Sequence, residues 1–350
     1  MDKIKAIDTK LLEFFNSRKF AGMSIAITDK EKIIYTGNFG VASVEMPSVP
    51  VSEYSLHRIA SITKIFTGLT IMKLAEKGVL ELDKPIKSYV PWLSLSNKRA
   101  EETMTLRHLL SHTSGLPVEY TPEGAREESA LEASLKDGLP TLTLVSLPEE
   151  KKYLYSNWGI RLASYVAERQ TGIRYSELAH KYVIDPLGMN DTTFDIRDAI
   201  TRHVSLPHEL DENGELYVVH HMKENAARLA AGGLYSNAAD LSKLARLILN
   251  SGKNDKGEQI ISEAVLSEMS RAHASAPDGS HYGLTMCLYE NDGVRMRGHL
   301  GSAPPYATSL FVCDELGLGV IVLMNTEYKE LRTEIPQAIF SMVKGTEGIR

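Results

Sequence analysis

The period at which apolar residues recur along this chain changes twice. Ile4, Ile7, Leu11, Leu12 and Phe15 recur at helical spacing and predict an amphipathic surface helix. Strand-like runs follow at 23–28 and 32–36, and the charged Asp29-Lys30-Glu31 between them predicts a hairpin. A third strand is expected over 39–44. A helix then starts at Ser61 and stops near Gly78, a natural glycine terminator. From about 79 to 270 the spacing is mainly helical, with helices expected at 106–110, 158–170, 175–182, 238–250 and 263–271. Strand character returns at 282–289, 294–298, 307–313 and 318–324, with Asn291-Asp292-Gly293 as a hairpin turn. A last helix covers about 328–343, with Pro336 as a kink or boundary. Strands at both ends with helices between predict an α+β fold. In it, one antiparallel sheet is built from both termini and flanked by terminal helices, with an inserted, mainly helical domain. Residues 1–60 and 275–350 would form the sheet domain and 61–274 the helical one, with a ligand cleft where they meet.

Composition narrows the function classes. The chain has 350 residues, 43% apolar and 24% charged, ordinary for a soluble globular protein with a sizeable core. A net charge of −6 offers no footprint for nucleic acid or an anionic membrane. No apolar run approaches the roughly 18 residues of a membrane span. The N-terminus lacks the apolar segment of a signal peptide, so the protein is expected in the cytoplasm, or in the periplasm or outside the cell if a leader has been trimmed. Cys287 and Cys313 fall in strand-like runs and read as buried free thiols. His108 and His112 stand four apart, but no third metal ligand accompanies them, and His220-His221 reads as a loop pair.

Ser61-Ile62-Thr63-Lys64 supplies the first chemistry. Residues three apart share one helix face, so the lysine amine sits beside the serine hydroxyl. A buried lysine can lose its proton near neutral pH and activate that hydroxyl as a nucleophile. The start of the helix also offers unpaired N–H groups to a developing oxyanion. Chance alone gives about one Ser-x-x-Lys in a chain this long. A second copy, Ser341-Met342-Val343-Lys344, closes the last helix with no helix after it. Tyr155-Ser156-Asn157 adds a tyrosine able to act as base or relay if cations lower its pKa, and an amide able to orient a lysine and a substrate carbonyl. Tyr289-Glu290-Asn291 has the same spacing but belongs to a hairpin turn. His299-Leu300-Gly301-Ser302 lies between two expected strands. There a histidine meets the substrate, Gly301 allows close approach of a ligand, and the Ser302 N–H is a second oxyanion donor. His281-Tyr282-Gly283 is a look-alike at the start of an earlier strand.

The order Ser-x-x-Lys, Tyr-x-Asn, His-x-Gly resembles the penicillin-recognising serine hydrolase superfamily, in particular class C β-lactamases, family VIII-type esterases and D-aminopeptidases. The stretches 107–116, 186–189, 231–241 and 298–301 resemble further family signatures, so the likeness covers most of the chain. It implies a β-lactamase/transpeptidase-like fold. It also implies Ser61 as acylated nucleophile, Lys64 as its base and Tyr155 as proton relay. Asn157, His299, Gly301, Ser302 and Tyr306 are implied on the substrate side, Tyr306 either shaping the acyl pocket or only packing there. No metal or organic cofactor is implied. The substrate is a small-molecule ester, amide or β-lactam. Histidine in place of the family's lysine at 299, and leucine in place of a hydroxyl residue at 300, weaken the hold on a substrate carboxylate. The reading is therefore a carboxylesterase, with a β-lactamase or D-amino-acid peptidase, an acyltransferase, or a penicillin-binding sensor that stays acylated as alternatives. The acyl preference would lie in loops 117–150 and 200–230, which carry no legible motif, and the oligomeric state is not encoded in any pattern found.

Overall fold

The computed structural model describes residues 2–118, 127, 129–220 and 224–345. His221 and part of the expected pocket-wall loops lie outside them. Helix α1 (Asp2–Asn16) leads into strands β1 (Gly22–Thr28) and β2 (Ile33–Gly40). Strand β3 (His57–Arg58), a 3-10 turn (Ala60–Ile62) and helix α2 (Thr63–Glu76) follow. Next come α3 (Lys98–Thr103), α4 (Leu106–Leu110), α5 (Ala130–Gly138), α6 (Asn157–Thr171), α7 (Tyr175–Ala179) and α8 (Ile196–Ala199). Strands β4 (His208–Leu210) and β5 (Leu216–Val218), helix α9 (Leu229–Gly232), strand β6 (Tyr235–Ser236), and helices α10 (Ala238–Leu249) and α11 (Glu263–Met269) complete the middle. The C-terminal part holds β7 (Ala274–Ser275), β8 (His281–Tyr282), β9 (Cys287–Asn291), β10 (Val294–Ala303), β11 (Tyr306–Cys313), β12 (Leu318–Met324) and α12 (Leu331–Lys344).

The main sheet has the order β2-β1-β12-β11-β10-β9-β8-β7 and is antiparallel throughout. The two chain ends meet in it, with Met23 opposite Met324 and Ile25 opposite Val322. Period two then sorts the side chains. Met23, Ile25, Ile27, Phe311, Val320 and Val322 face Ile7 and Leu11 of α1 and Ile335, Ile339 and Phe340 of α12. Ala26, Leu310, Val312, Ile321 and Leu323 join the other core, with α2 and α10. Both faces are covered, which is why β11 and β12 read as continuous buried runs rather than alternating ones. Helix α2 is buried on nearly all sides, and each fully buried Ile, Leu or Phe there contributes roughly 1.5–3 kcal/mol. Its buried hydroxyls are satisfied locally: Thr70 Oγ1 donates to the Phe66 carbonyl and Thr67 Oγ1 to the Ala230 carbonyl.

Four sequence expectations shift. The strand expected at 282–289 is interrupted: the chain turns at Gly283–Met286, with Thr285 at φ +60, and β8 and β9 pair as a tight hairpin. A side chain at Gly283 would meet the Met269 carbonyl oxygen at 2.0 Å. The strand expected to end at 298 runs on to Ala303, so His299 to Ser302 lie within β10 rather than between strands. No third strand fills 39–44; β2 ends at Gly40, whose positive φ turns the chain. Helix α12 passes through Pro336 without stopping. Strands β3 to β6 are two or three residues long, too short for any period to register. Among the described residues no helix is long and apolar enough to cross a membrane.

Candidate active site

Ser61 sits in the 3-10 turn, one residue after Ala60, which adopts a left-handed φ of +50. A non-glycine residue there costs about 1–2 kcal/mol, so the turn needs outside support. It has it on both sides. The Ile59 N–H donates to the Leu234 carbonyl at 2.9 Å, and Thr308 Oγ1 on β11 donates to the Ile59 carbonyl at 2.9 Å. Gly301 on β10 packs beneath. A Cβ there would lie 2.4 Å from the Ile59 oxygen and 2.0 Å from Thr308 Oγ1. The nucleophile turn is thus a group that approaches this backbone closely.

One turn into α2, Lys64 is fully buried. Its Nζ lies 3.0 Å from Ser61 Oγ and donates to the Ala231 carbonyl of α9 at 2.7 Å. Tyr155 comes from the loop before α6 and donates its hydroxyl to Ser61 Oγ at 2.8 Å. Lys64 Nζ also lies 4.9 Å from the Tyr155 ring centre. Desolvation pushes the Tyr155 phenol well above its usual range, and this outweighs the lowering by the Ser61 hydrogen bond and by Arg332. The condition set on the sequence, that cations lower this pKa, is not met. Tyr155 is a phenol, able to donate a proton and not poised to take the first one. Asn157 opens α6, whose N-cap is Ser156, with its hydroxyl accepting the Gly159 N–H.

His299 is buried in β10. Its Nδ1 lies 2.6 Å from the Leu300 carbonyl oxygen, so it carries the proton; its Nε2 then accepts the Tyr282 hydroxyl at 2.9 Å. Burial is the main cause that pushes the imidazole down to about 3. The ring is neutral and both nitrogens are engaged within the protein. The cationic side chain found here is Arg332 on α12, which sequence reasoning missed. It donates to the Gly301 carbonyl at 3.0 Å and the Lys329 carbonyl at 2.8 Å. Ser302 donates its hydroxyl to Glu327 at 2.7 Å. Tyr306 takes the packing alternative: it is buried, with its hydroxyl donated to the Ser205 carbonyl. The second Ser-x-x-Lys lies exposed at the end of α12, with Lys344 donating to the Gly293 carbonyl.

The family model described as Beta-lactamase matches residues 5–343. This chain belongs to the Beta-lactamase family. Among solved structures, the octameric penicillin-binding protein homologue from Pyrococcus abyssi superposes with a TM-score of 0.83 at 28% identity, covering 99% of this chain and 78% of that one. EstCE1, a hydrolase with promiscuous acyltransferase activity, superposes at 0.79 over 98% of this chain and 97% of its own, at 19% identity, a likeness of fold. Protein flp of Staphylococcus aureus (strain MW2) is 25% identical over 335 residues, or 93% of this chain. The chain spans 64% of the length of flp. Within this family member, the look-alike His281-Tyr282-Gly283 still matters, because the Tyr282 hydroxyl is the partner of His299 Nε2.

Three buried histidines tie the site to acid stability. Burial pushes His57 down to about 4, His299 down to about 3, and His112 well below the ordinary value. The unfolded chain binds protons at these residues as pH falls through about 6.5, whereas the folded chain does not until far lower. Stability is therefore full above pH 6.5 and falls with acidification, by roughly 1 to 2 kcal/mol per histidine between pH 7 and pH 5. Urea unfolding at the two pH values measures this; an unchanged midpoint would show that the three rings protonate freely in the fold.

Proposed function

We propose that this protein is a serine hydrolase working through an acyl-enzyme on a small carboxylic ester. The observation that carries the reading is Ser61 Oγ held 3.0 Å from Lys64 Nζ and 2.8 Å from Tyr155 Oη. With Tyr155 held as a phenol, the base for attack is Lys64 as its neutral amine. Ser61 Oγ adds to the carbonyl carbon as its proton passes to Lys64. The oxyanion is received by the N–H of Ser61, at the start of a helical turn, and by that of Ser302. Leu300 sends its N–H to the Cys287 thiol, away from β11, and alternate residues of a strand face the same edge, so Ser302 points the same way. Pairing with β9 ends at Gly298, which leaves this edge open at Ser302. As the carbon–oxygen bond breaks, the alcohol takes the Tyr155 proton, and Tyr155 regains one from Lys64. Water repeats the sequence and releases the acid. Asn157 orients the acyl chain. We place this centre between a sheet domain (1–60 and 275–350) and a helical domain (61–274).

The ester reading over a β-lactam rests on His299 and Leu300, which offer a substrate carboxylate neither charge nor hydroxyl, while Arg332 already gives two of its N–H groups to backbone carbonyls. A fluorophosphonate should add to Ser61 in intact-mass analysis. Ser61→Ala should lose p-nitrophenyl butyrate turnover by about 10⁴-fold or more. Turnover persisting in Ser61→Ala sinks the mechanism. A single burst without turnover would favour the sensor, and a cephalosporin hydrolysed faster than any ester would reverse the substrate assignment.

A further inference from the structure

His112 has no part in the steps above, yet both residues flanking Tyr155 are tied to it. Its carbonyl accepts the Leu154 N–H at 2.7 Å, and its ring Nδ1 accepts the Ser156 N–H at 3.2 Å. Between those two bonds, its ring packs on the Tyr155 ring with centroids 4.4 Å apart. It also packs on Tyr282, 4.7 Å away, the tyrosine bonded to His299. A backbone N–H can only donate, so Nδ1 is bare and the proton sits on Nε2. That nitrogen has no hydrogen-bond partner among the described residues. Full burial opposes a charge on the ring. A neutral imidazole whose lone pair is already engaged is no base for Ser61. What it can do is hold the loop.

The backbone agrees. His112 is left-handed, with φ +58, between Ser111 and Thr113, whose hydroxyls bond to each other at 2.9 Å. In that conformation its carbonyl and its ring both bond to the segment that carries Tyr155.

We infer that His112 is a positioning residue that fixes the direction and height of the Tyr155 hydroxyl over Ser61 Oγ by clamping the chain on either side of it. The inference rests on the reading of Tyr155 as the proton relay. It commits His112 to act through Tyr155 alone, with no contact to the substrate.

Two replacements separate this role from simple packing. Asparagine tolerates a left-handed φ and places Oδ1 where histidine has Nδ1; glycine tolerates the φ but has no acceptor. In His112→Gly, kcat for p-nitrophenyl butyrate and the rate of Ser61 labelling by a fluorophosphonate should each fall by about 30- to 100-fold, with KM changed less than about threefold. His112→Asn should recover most of the loss. Tyr155→Phe should be nearly inactive, and adding His112→Gly to it should cost nothing further. If the glycine variant does not fold, His112→Leu, which fills the space and still lacks the acceptor, takes its place.

A wild-type kcat in the folded glycine variant, beside an inactive Tyr155→Phe, overturns the role of His112 and leaves the relay standing. So does a His112→Asn no better than glycine, or a double variant in which the two losses multiply. A fully active Tyr155→Phe overturns the relay and this inference with it. So does a wild type that neither turns over the ester nor takes the label.

Discussion

Lys64→Met is expected to lower kcat for ester hydrolysis by about 10³- to 10⁴-fold, the usual weight of a general base, while the protein stays folded. Methionine fills nearly the same volume and removes no apolar contact from the core around α2. It does remove the amine's contacts to Ser61 Oγ and the Ala231 carbonyl. The lost bond at Ala231 leaves a buried acceptor without its lysine and costs about 1–3 kcal/mol; losing a buried amine from the apolar core offsets part of that. The thermal midpoint should therefore move by only a few degrees. Tyr155 alone cannot rescue the step, because its phenol is held protonated by burial. Fluorophosphonate labelling and steady-state kinetics on the folded variant decide the point. A loss under about tenfold would mean that Ser61 gives its proton elsewhere.

Gly301→Ala should be nearly as damaging, although it adds one methyl group and touches no side chain assigned to the chemistry. The new Cβ would lie 2.0 Å from Thr308 Oγ1, 2.4 Å from the Ile59 carbonyl oxygen and 3.3 Å from the Ala60 Cβ. Thr308 could rotate away, but only by breaking its bond to that same Ile59 oxygen. The 3-10 turn would then lose its tie to the sheet. Ala60 would also lose the support that keeps it left-handed. Overpacking of this kind costs about 1–3 kcal/mol, and lifting Ser61 by an ångström away from Ser302 costs about 10²-fold in rate. Activity and urea stability should fall together. Adding Thr308→Ala should not restore activity, because the 2.4 Å contact with the Ile59 carbonyl oxygen stays and the bond that ties the turn to the sheet is lost. A fully active single variant would show that the turn and β10 move apart without penalty.

These two residues mark what could and could not be read in advance. Lys64 was legible because the helix period forces its proximity to Ser61, and the partners at Tyr155 and His299 follow in a fixed order. The glycine at 301 was flagged for a ligand, and its packing against the nucleophile turn was not foreseen. The turn it accommodates is more than 200 positions away in the chain, and no periodicity encodes that packing. The break at Thr285 escaped for another reason: Leu284, Met286 and Cys287 are all buried, so an apolar run hides the turn. With the turn unseen, Tyr282 looked like the start of a long strand, when it is the residue that holds His299. The state of Tyr155 escaped because burial depends on what surrounds the residue in space. The sheet came through well, since both of its faces are covered and the strands contributed by the two ends are strongly apolar.

The bond from Lys64 to Ala231 has a consequence for how such a site can drift over time. The acceptor is a main-chain oxygen, which every amino acid brings. Substitution at position 231 can change the side chain without deleting the lysine's anchor, so long as α9 keeps its place. Errors there are buffered at the level of the gene. What is exposed to mutation is the geometry of the helix: Gly232 and Gly233 follow directly, and a side chain at 233 would meet the Leu229 Cα at 2.7 Å. Sequence variation around the anchor should therefore fall unevenly: small residues at the buried position 231 keep the contact, and a side chain is refused at the glycine that lets the helix close.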